Sequence, residues 1–145
     1  MSLKQWESNG WLVVKPSSGD EIRNLLAITD RDISDAAGSI SADWRFGIAY
    51  NAALKLCTVL LRAESYRPAQ GAHHYRTIMA MPLILGDDRS DDAEYLNTCR
   101  MLRNSIEYDY VGGATEENVK ELLEFLARFA NTVSSWLEES HPELL

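Results

Sequence analysis

Along most of this chain, apolar positions recur at three- and four-residue spacing, the period of a helix with one buried face. Ile22, Leu25, Leu26, Thr29, Ile33 and Ala36 mark a first such face, with charged residues opposite and Gly38 near its end. Ser41 has a hydroxyl that can accept a free backbone N–H, so it reads as the cap of a second run through Ile48, Ala49, Ala52, Ala53, Leu56, Val59, Leu60 and Ala63. Arg67-Pro68 stops that run. A shorter helix follows from His74 to about Leu83, where Pro82 is expected to push Met81 out of helical conformation and Gly86 to close the segment. Ser90 reads as the cap of a fourth helix, with Asp91 and Asp92 offsetting its positive end and Tyr95, Cys99, Leu102 and Ile106 as its stripe. Gly112-Gly113 ends it, and Thr115, Glu116 and Glu117 start a last helix carrying Val119, Leu122, Leu123, Leu126, Phe129, Ala130, Val133, Trp136 and Leu137. The pattern predicts helices near 20–37, 42–65, 74–84, 91–110 and 116–138, and no strand alternation longer than Trp11-Leu12-Val13-Val14.

Five helices joined by short loops predict an all-α, up-and-down bundle, because short connections make successive helices pack antiparallel. One domain over 1–145 is expected, with 1–18 as an N-terminal extension. Ala49, Ala52 and Ala53 allow a neighbouring helix to approach closely. The apolar girth of the last helix exceeds one stripe, which fits either a homodimer face or a central helix buried on several sides.

Composition adds limits. With 145 residues, 46% hydrophobic and 25% charged, the chain can bury a real core. Its formal net charge of −8 opposes general binding to a phosphate backbone, since that affinity comes mainly from Lys and Arg displacing counterions. A local basic cleft formed by Arg89, Arg100 and Arg103 remains compatible with that balance. The first residues carry no secretory-type apolar run, so a cytoplasmic location without membrane association is expected. Cys57 and Cys99 lie in apolar helical stripes and are expected to be buried, reduced thiols. His73 and His74 are adjacent, point in different directions, and lack a carboxylate at ligand spacing, so no metal and no cofactor is expected. Trp6, Trp11, Trp44 and Trp136 read as core or interface anchors, and Asp30, Asp32 and Asp35 as solvated charge.

The most informative residues are Leu102-Arg103-Asn104-Ser105-Ile106-Glu107-Tyr108-Asp109-Tyr110. Arg103 is followed, after four spacers, by a residue, one spacer and a tyrosine, and this resembles the motif of HEPN domains. Nuclease members of that family have histidine where Tyr108 stands here. Two further stretches are similar to small bacterial HEPN proteins: Asp43-Trp44-Arg45-Phe46-Gly47-Ile48-Ala49-Tyr50-Asn51-Ala52-Ala53-Leu54, which looks like their first long helix, and Tyr66-Arg67-Pro68 followed by His73-His74. The resemblance spans roughly residues 19 to 137. It implies a dimeric helical bundle that either cleaves RNA without a metal or serves as partner to a small nucleotidyltransferase.

At about 100° per residue, Arg103, Glu107 and Tyr110 share one helix face while Asn104 and Tyr108 share the adjoining one. Arg103 and residue 108 are then about 140° apart, so a cleft using both calls for two copies of the chain. Read without the resemblance, Arg103 and Glu107 are an i,i+4 ion pair on a solvated surface. In nuclease members the arginine stabilises phosphate charge and the histidine manages a proton; a phenol with an ordinary pKa near 10 is a poor base. His73 and His74 can replace it only if the fold brings them beside Arg103. In members paired with a nucleotidyltransferase the motif's last tyrosine is adenylylated, and Tyr110 occupies that position as the candidate for modification, although an exposed tyrosine usually carries no such role. The resulting expectation is a non-catalytic, dimeric HEPN-like binding module, partner to a nucleotidyltransferase in a toxin–antitoxin-like or nucleotide-related system, with Arg103, Asn104, Glu107, Tyr108 and Tyr110 as its surface and RNA or a nucleotide as a possible ligand. The rivals are a metal-free endoribonuclease toxin using Arg103, Asn104 and Tyr108, and a purely structural helical oligomer.

Overall fold

The second predicted helix becomes the centre of the molecule. In the computed structural model, which describes residues 1–108 and 111–145, with 107 and 108 as helical backbone, helix α3 (Ala42–Ala63) packs against α2 (Gly19–Ala36), α6 (Ser90–Tyr108) and α7 (Glu116–Ser140). The remaining elements, in chain order, are α1 (Leu3–Ser8), strand β1 (Leu12–Val14), strand β2 (Tyr66–Pro68), α4 (His73–Met79) and α5 (Met81–Leu85). This is an all-α helical bundle with one small ribbon.

Phe46, Tyr50, Leu56, Leu60, Leu122, Leu126 and Leu137 form the bulk of the core. Although α3 is long and apolar enough to cross a membrane by length and composition, it is mostly buried in the bundle, which accounts for that composition. Ala49, Ala52 and Ala53 expose no surface, so neighbouring elements close directly over their short side chains. Ala53→Leu is therefore expected to cost about 1–3 kcal/mol by overpacking. A lower urea midpoint with an unchanged slope would report it, and an unchanged midpoint would show that the site has room.

The apolar girth of α7 is consumed inside one chain. Val119, Leu122, Phe125, Leu126, Phe129, Val133 and Leu137 are all buried, against α3 and α2 among others. The central-helix alternative thus explains the girth without a second copy.

Local chemistry sets most of the boundaries as the residues suggest. Ser41 Oγ accepts the Trp44 N–H, and Thr115 forms a reciprocal capping box with Asn118. Asp43, in the first turn of α3, accepts the N–H groups of Gly112 (2.6 Å) and Ala114 (3.0 Å), fastening the connection ahead of α7 to the start of α3. These two bonds hold its carboxyl below the ordinary aspartate range.

Four expectations need correction. Met81 is helical, and the interruption falls at Ala80: a proline has no N–H for the carbonyl four residues back, so the ladder breaks early and restarts with Pro82 in the first turn of α5. Ser90 is not a cap, because a 3-10 turn over Asp87–Arg89 runs straight into α6 and leaves Ser90 already helical (φ −62°, ψ −37°). Asp32 faces inward with 9% exposure, its carboxylate met by the Arg31 guanidinium at 3.1 Å, and is not solvated charge. Trp44, at 71% exposure, is no core anchor.

The stop at Arg67-Pro68 also hides a strand. β1 and β2 pair antiparallel, Leu12 opposite Pro68, Val13 opposite Arg67 and Val14 opposite Tyr66. Both strands are three residues long, too short for an alternation to show. The N-terminal segment is consequently built into the fold. Trp6 and Leu12 join Leu61 and Ala80 in a second apolar cluster, the Arg76 guanidinium lies 4.1 Å from the Trp11 ring centre, and Tyr66 donates its O–H to Glu7 (2.8 Å).

Candidate functional site

Helix α4 lies against α6, and where its first turn meets α6 the surface opens into a groove of about 500 Å³. One wall is Gly71, Ala72, His73, His74 and Tyr75; the other is Arg100 and Asn104 of α6. The turn into α4 is tight. Gly71 (φ 85°) and Ala72 (φ 51°) both take the left-handed backbone, which costs an alanine roughly 1–2 kcal/mol and sets the direction in which the two histidines enter the helix.

Arg100 donates through Nε to Asn97 Oδ1 at 2.9 Å, one turn back on α6, and its guanidinium stands 5.7 Å from the ring centre of Tyr75. Tyr75 keeps 41% of its surface exposed, leaving an aromatic ring edged by a cation at the mouth of the groove. His74 leans on Tyr50, a fully buried residue of α3, with Nδ1 3.3 Å from the phenolic oxygen. The guanidinium of Arg103 stands 5.8 Å from the same Tyr50 ring, whose centre is 6.1 Å from that of His74.

The electrostatics of the groove depart from those of the chain as a whole. His74 is held below the ordinary histidine value, first by desolvation of its ring and then by the positive charges of Arg103, His73, Arg100 and Lys55. The charged groups that act on it most strongly are basic, in a chain of net charge −8. A neutral imidazole in a locally cationic groove favours an anion as guest. Burial pushes the Tyr50 phenol up, so it keeps its proton.

The structure brings together what the sequence left 26 positions apart, His74 and Arg100, and places Asn104 with them. Arg103 stands beside the groove, over Tyr50, rather than in its wall. Arg89 does not join; it pairs with Asp92 at 3.4 Å near the other end of α6, about 20 Å away at helical rise. Glu107 and Tyr108 close α6 as backbone and their side chains lie outside the described structure, as does Tyr110 altogether. Sequence reasoning gave Tyr50 and Tyr75 no role in the site and named Arg100 only as part of a basic cleft with Arg89 and Arg103. The four-residue spacing of Arg100 and Asn104 puts them on one face, but nothing in that spacing names α4 as the opposing wall.

Elsewhere the chemistry is muted. Cys57 and Cys99 are buried free thiols, both pushed up by desolvation, Cys99 to about 11, so neither is a thiolate at neutral pH. A second groove between Arg45 and the start of α7 is lined by Glu116, Glu117 and Glu124, with Arg45 already paired to Glu116 at 2.6 Å, and is unsuited to an anion. Among the described residues no three His, Cys, Asp or Glu side chains converge as metal ligands. What fold and groove define is a helical bundle with a cationic, histidine-bearing cleft between two of its helices. Neither protein-family models, nor curated proteins, nor solved structures give a match to the chain.

Proposed function

We propose that this chain is a HEPN-like helical module that recognises a phosphate-bearing ligand, an RNA strand or a nucleotide, in the α4–α6 groove. In this reading it acts without catalysis, in the cytoplasm, as the partner of a nucleotidyltransferase in a toxin–antitoxin-like or nucleotide-related system. One observation carries the proposal: two separate stretches of the HEPN resemblance come together, His73-His74 and Asn104 lining one cleft with Arg100 while Arg103 flanks it over Tyr50. Arginine suits such a ligand because its planar fork of donors matches phosphate oxygens. The absence of catalysis rests on Tyr108 in the place of the family's histidine. Homodimerisation and modification of Tyr110 by the partner rest on the resemblance.

A second reading, metal-free RNA cleavage, is favoured by His74. It is neutral, hence a competent base, and Arg103 and Arg100 are near enough to act on its charge. The two readings separate in one experiment. Labelled single-stranded RNA is incubated with the purified protein and a chelator, and followed by anisotropy and by gel. RNA retained intact is the expected result. Cleavage that disappears in both His74→Ala and Arg103→Ala establishes the ribonuclease instead. Failure to bind RNA or any nucleoside phosphate overturns both readings.

A further inference from the structure

Tyr50 has no exposed surface, and among the described residues the one hydrogen-bond partner of its hydroxyl is His74 Nδ1. A buried phenol at neutral pH carries its proton and must place it on an acceptor. The unprotonated ring nitrogen of a neutral histidine is such an acceptor. When Nδ1 accepts, the imidazole's own hydrogen sits on Nε2, the nitrogen turned away from the Tyr50 hydroxyl, and His74 is one of the residues that line the groove.

We infer that Tyr50 is a positioning residue: by donating its O–H to Nδ1 it holds His74 as the Nε2–H tautomer and presents that N–H to a phosphate oxygen in the α4–α6 groove. This rests on the phosphate-binding reading of the groove. His74 then joins Arg100 and Asn104 as a directional donor rather than as a second cation. Charging the imidazole would put a hydrogen on Nδ1 as well, facing the Tyr50 O–H, and the phenol would have to turn its hydrogen into packed surroundings. The groups facing His74 from other elements, Arg100 and Arg103 on α6 and Lys55 on α3, together with its neighbour His73, oppose that charge in the same sense. The arrangement parallels the general rule that a histidine's working nitrogen is set by the bond its other nitrogen makes.

A merely structural Tyr50–His74 bond would satisfy the buried hydroxyl without mattering to a ligand, so the test reads both tautomer and binding. The whole chain is labelled with nitrogen-15, the His74 tautomer is read from long-range proton–nitrogen spectra, and inorganic phosphate is titrated in. The expected wild-type spectrum is a single Nε2–H tautomer. Tyr50→Phe should give a mixture of tautomers and about fivefold weaker phosphate binding, the loss expected for one neutral hydrogen bond. His74→Gln, whose amide nitrogen stands where Nε2 does, should keep most of the binding that His74→Ala loses. A mixed tautomer in the wild type, or Tyr50→Phe with tautomer and affinity unchanged, overturns the inference while leaving the groove as a phosphate site. Absence of phosphate binding to the wild type overturns the groove itself. Should Tyr50→Phe fail to fold, the wild-type tautomer and the contrast between His74→Gln and His74→Ala still decide.

Discussion

Arg62→Ala is expected to lower the unfolding free energy by about 3 kcal/mol, a large share of the roughly 5–15 kcal/mol that a domain of this kind possesses. Arg62 is 5% exposed, near the end of α3, and its guanidinium is fully engaged. It donates to both carboxylate oxygens of Glu21 (2.7 and 3.1 Å), to the carbonyls of Lys15 (2.8 Å) and Pro16 (3.1 Å), and to that of Tyr66 (3.1 Å). One side chain thereby ties together the segment ahead of α2, the first turn of α2 and the β2 strand. Removing it strands three carbonyls in a partly buried site and frees the ribbon edge. Arg62→Lys should not rescue, because a single ammonium cannot reproduce the planar fork. Glu21→Gln should cost less, about 1 kcal/mol, since the carbonyl bonds survive.

The pH dependence of the Arg62 effect has a definite sign. The hydrogen bond from Arg62 holds the Glu21 carboxyl below its ordinary value, so this contribution is complete above the ordinary glutamate range and is lost as pH falls through the lowered folded value. The gap between wild type and Arg62→Ala should therefore narrow in acid. Urea melts at neutral and at acid pH check it. A neutral-pH difference under about 1 kcal/mol would contradict the hub role.

The second large effect concerns binding. Arg100→Ala is expected to weaken phosphate-ligand affinity by about tenfold to a hundredfold, the range for losing charge-assisted hydrogen bonds, with little change in melting temperature. Its described side-chain partners are Asn97, a partly exposed neighbour on the same helix, and the exposed ring of Tyr75, so stability has little to lose. Arg103→Ala should weaken binding less, because Arg103 flanks the groove through Tyr50 instead of lining it. Calorimetric titration of the two variants checks the order, and a larger effect at Arg103 would contradict it.

The long stripes were legible because burial of one helix face writes a 3.6-residue period over many turns, as in α2, α3 and α7. Single capping residues were legible where an extended residue precedes a helix, as at Ser41 and Thr115, and misleading at Ser90, where a 3-10 turn supplies the preceding structure. Short elements left no period to read. The β2 strand and the α4–α5 break at Ala80 each depend on two or three residues and on what packs against them.

The groove was half legible. The motif pointed to α6, but the face opposing Arg103 is not set by helix geometry along α6. The 140° separation between Arg103 and residue 108 suggested a complement from a second copy. In the structure α4 of the same chain faces Arg100 and Asn104, because the ribbon and the left-handed turn at Gly71-Ala72 deliver His74 to the buried Tyr50. That convergence is a tertiary fact, and neither His73-His74 nor Arg100 carries it alone.

The most direct test is to map the ligand on the protein. Backbone and side-chain resonances are assigned, a short single-stranded RNA and a nucleoside monophosphate are titrated in separately, and shift changes are placed on the fold. The account predicts that the largest changes fall on 71–75 and on Arg100 and Asn104, and that Arg100→Ala moves them to about tenfold or more higher ligand concentration. Changes centred on the groove of Arg45, Lys120 and Glu124, or none for either ligand, would contradict it.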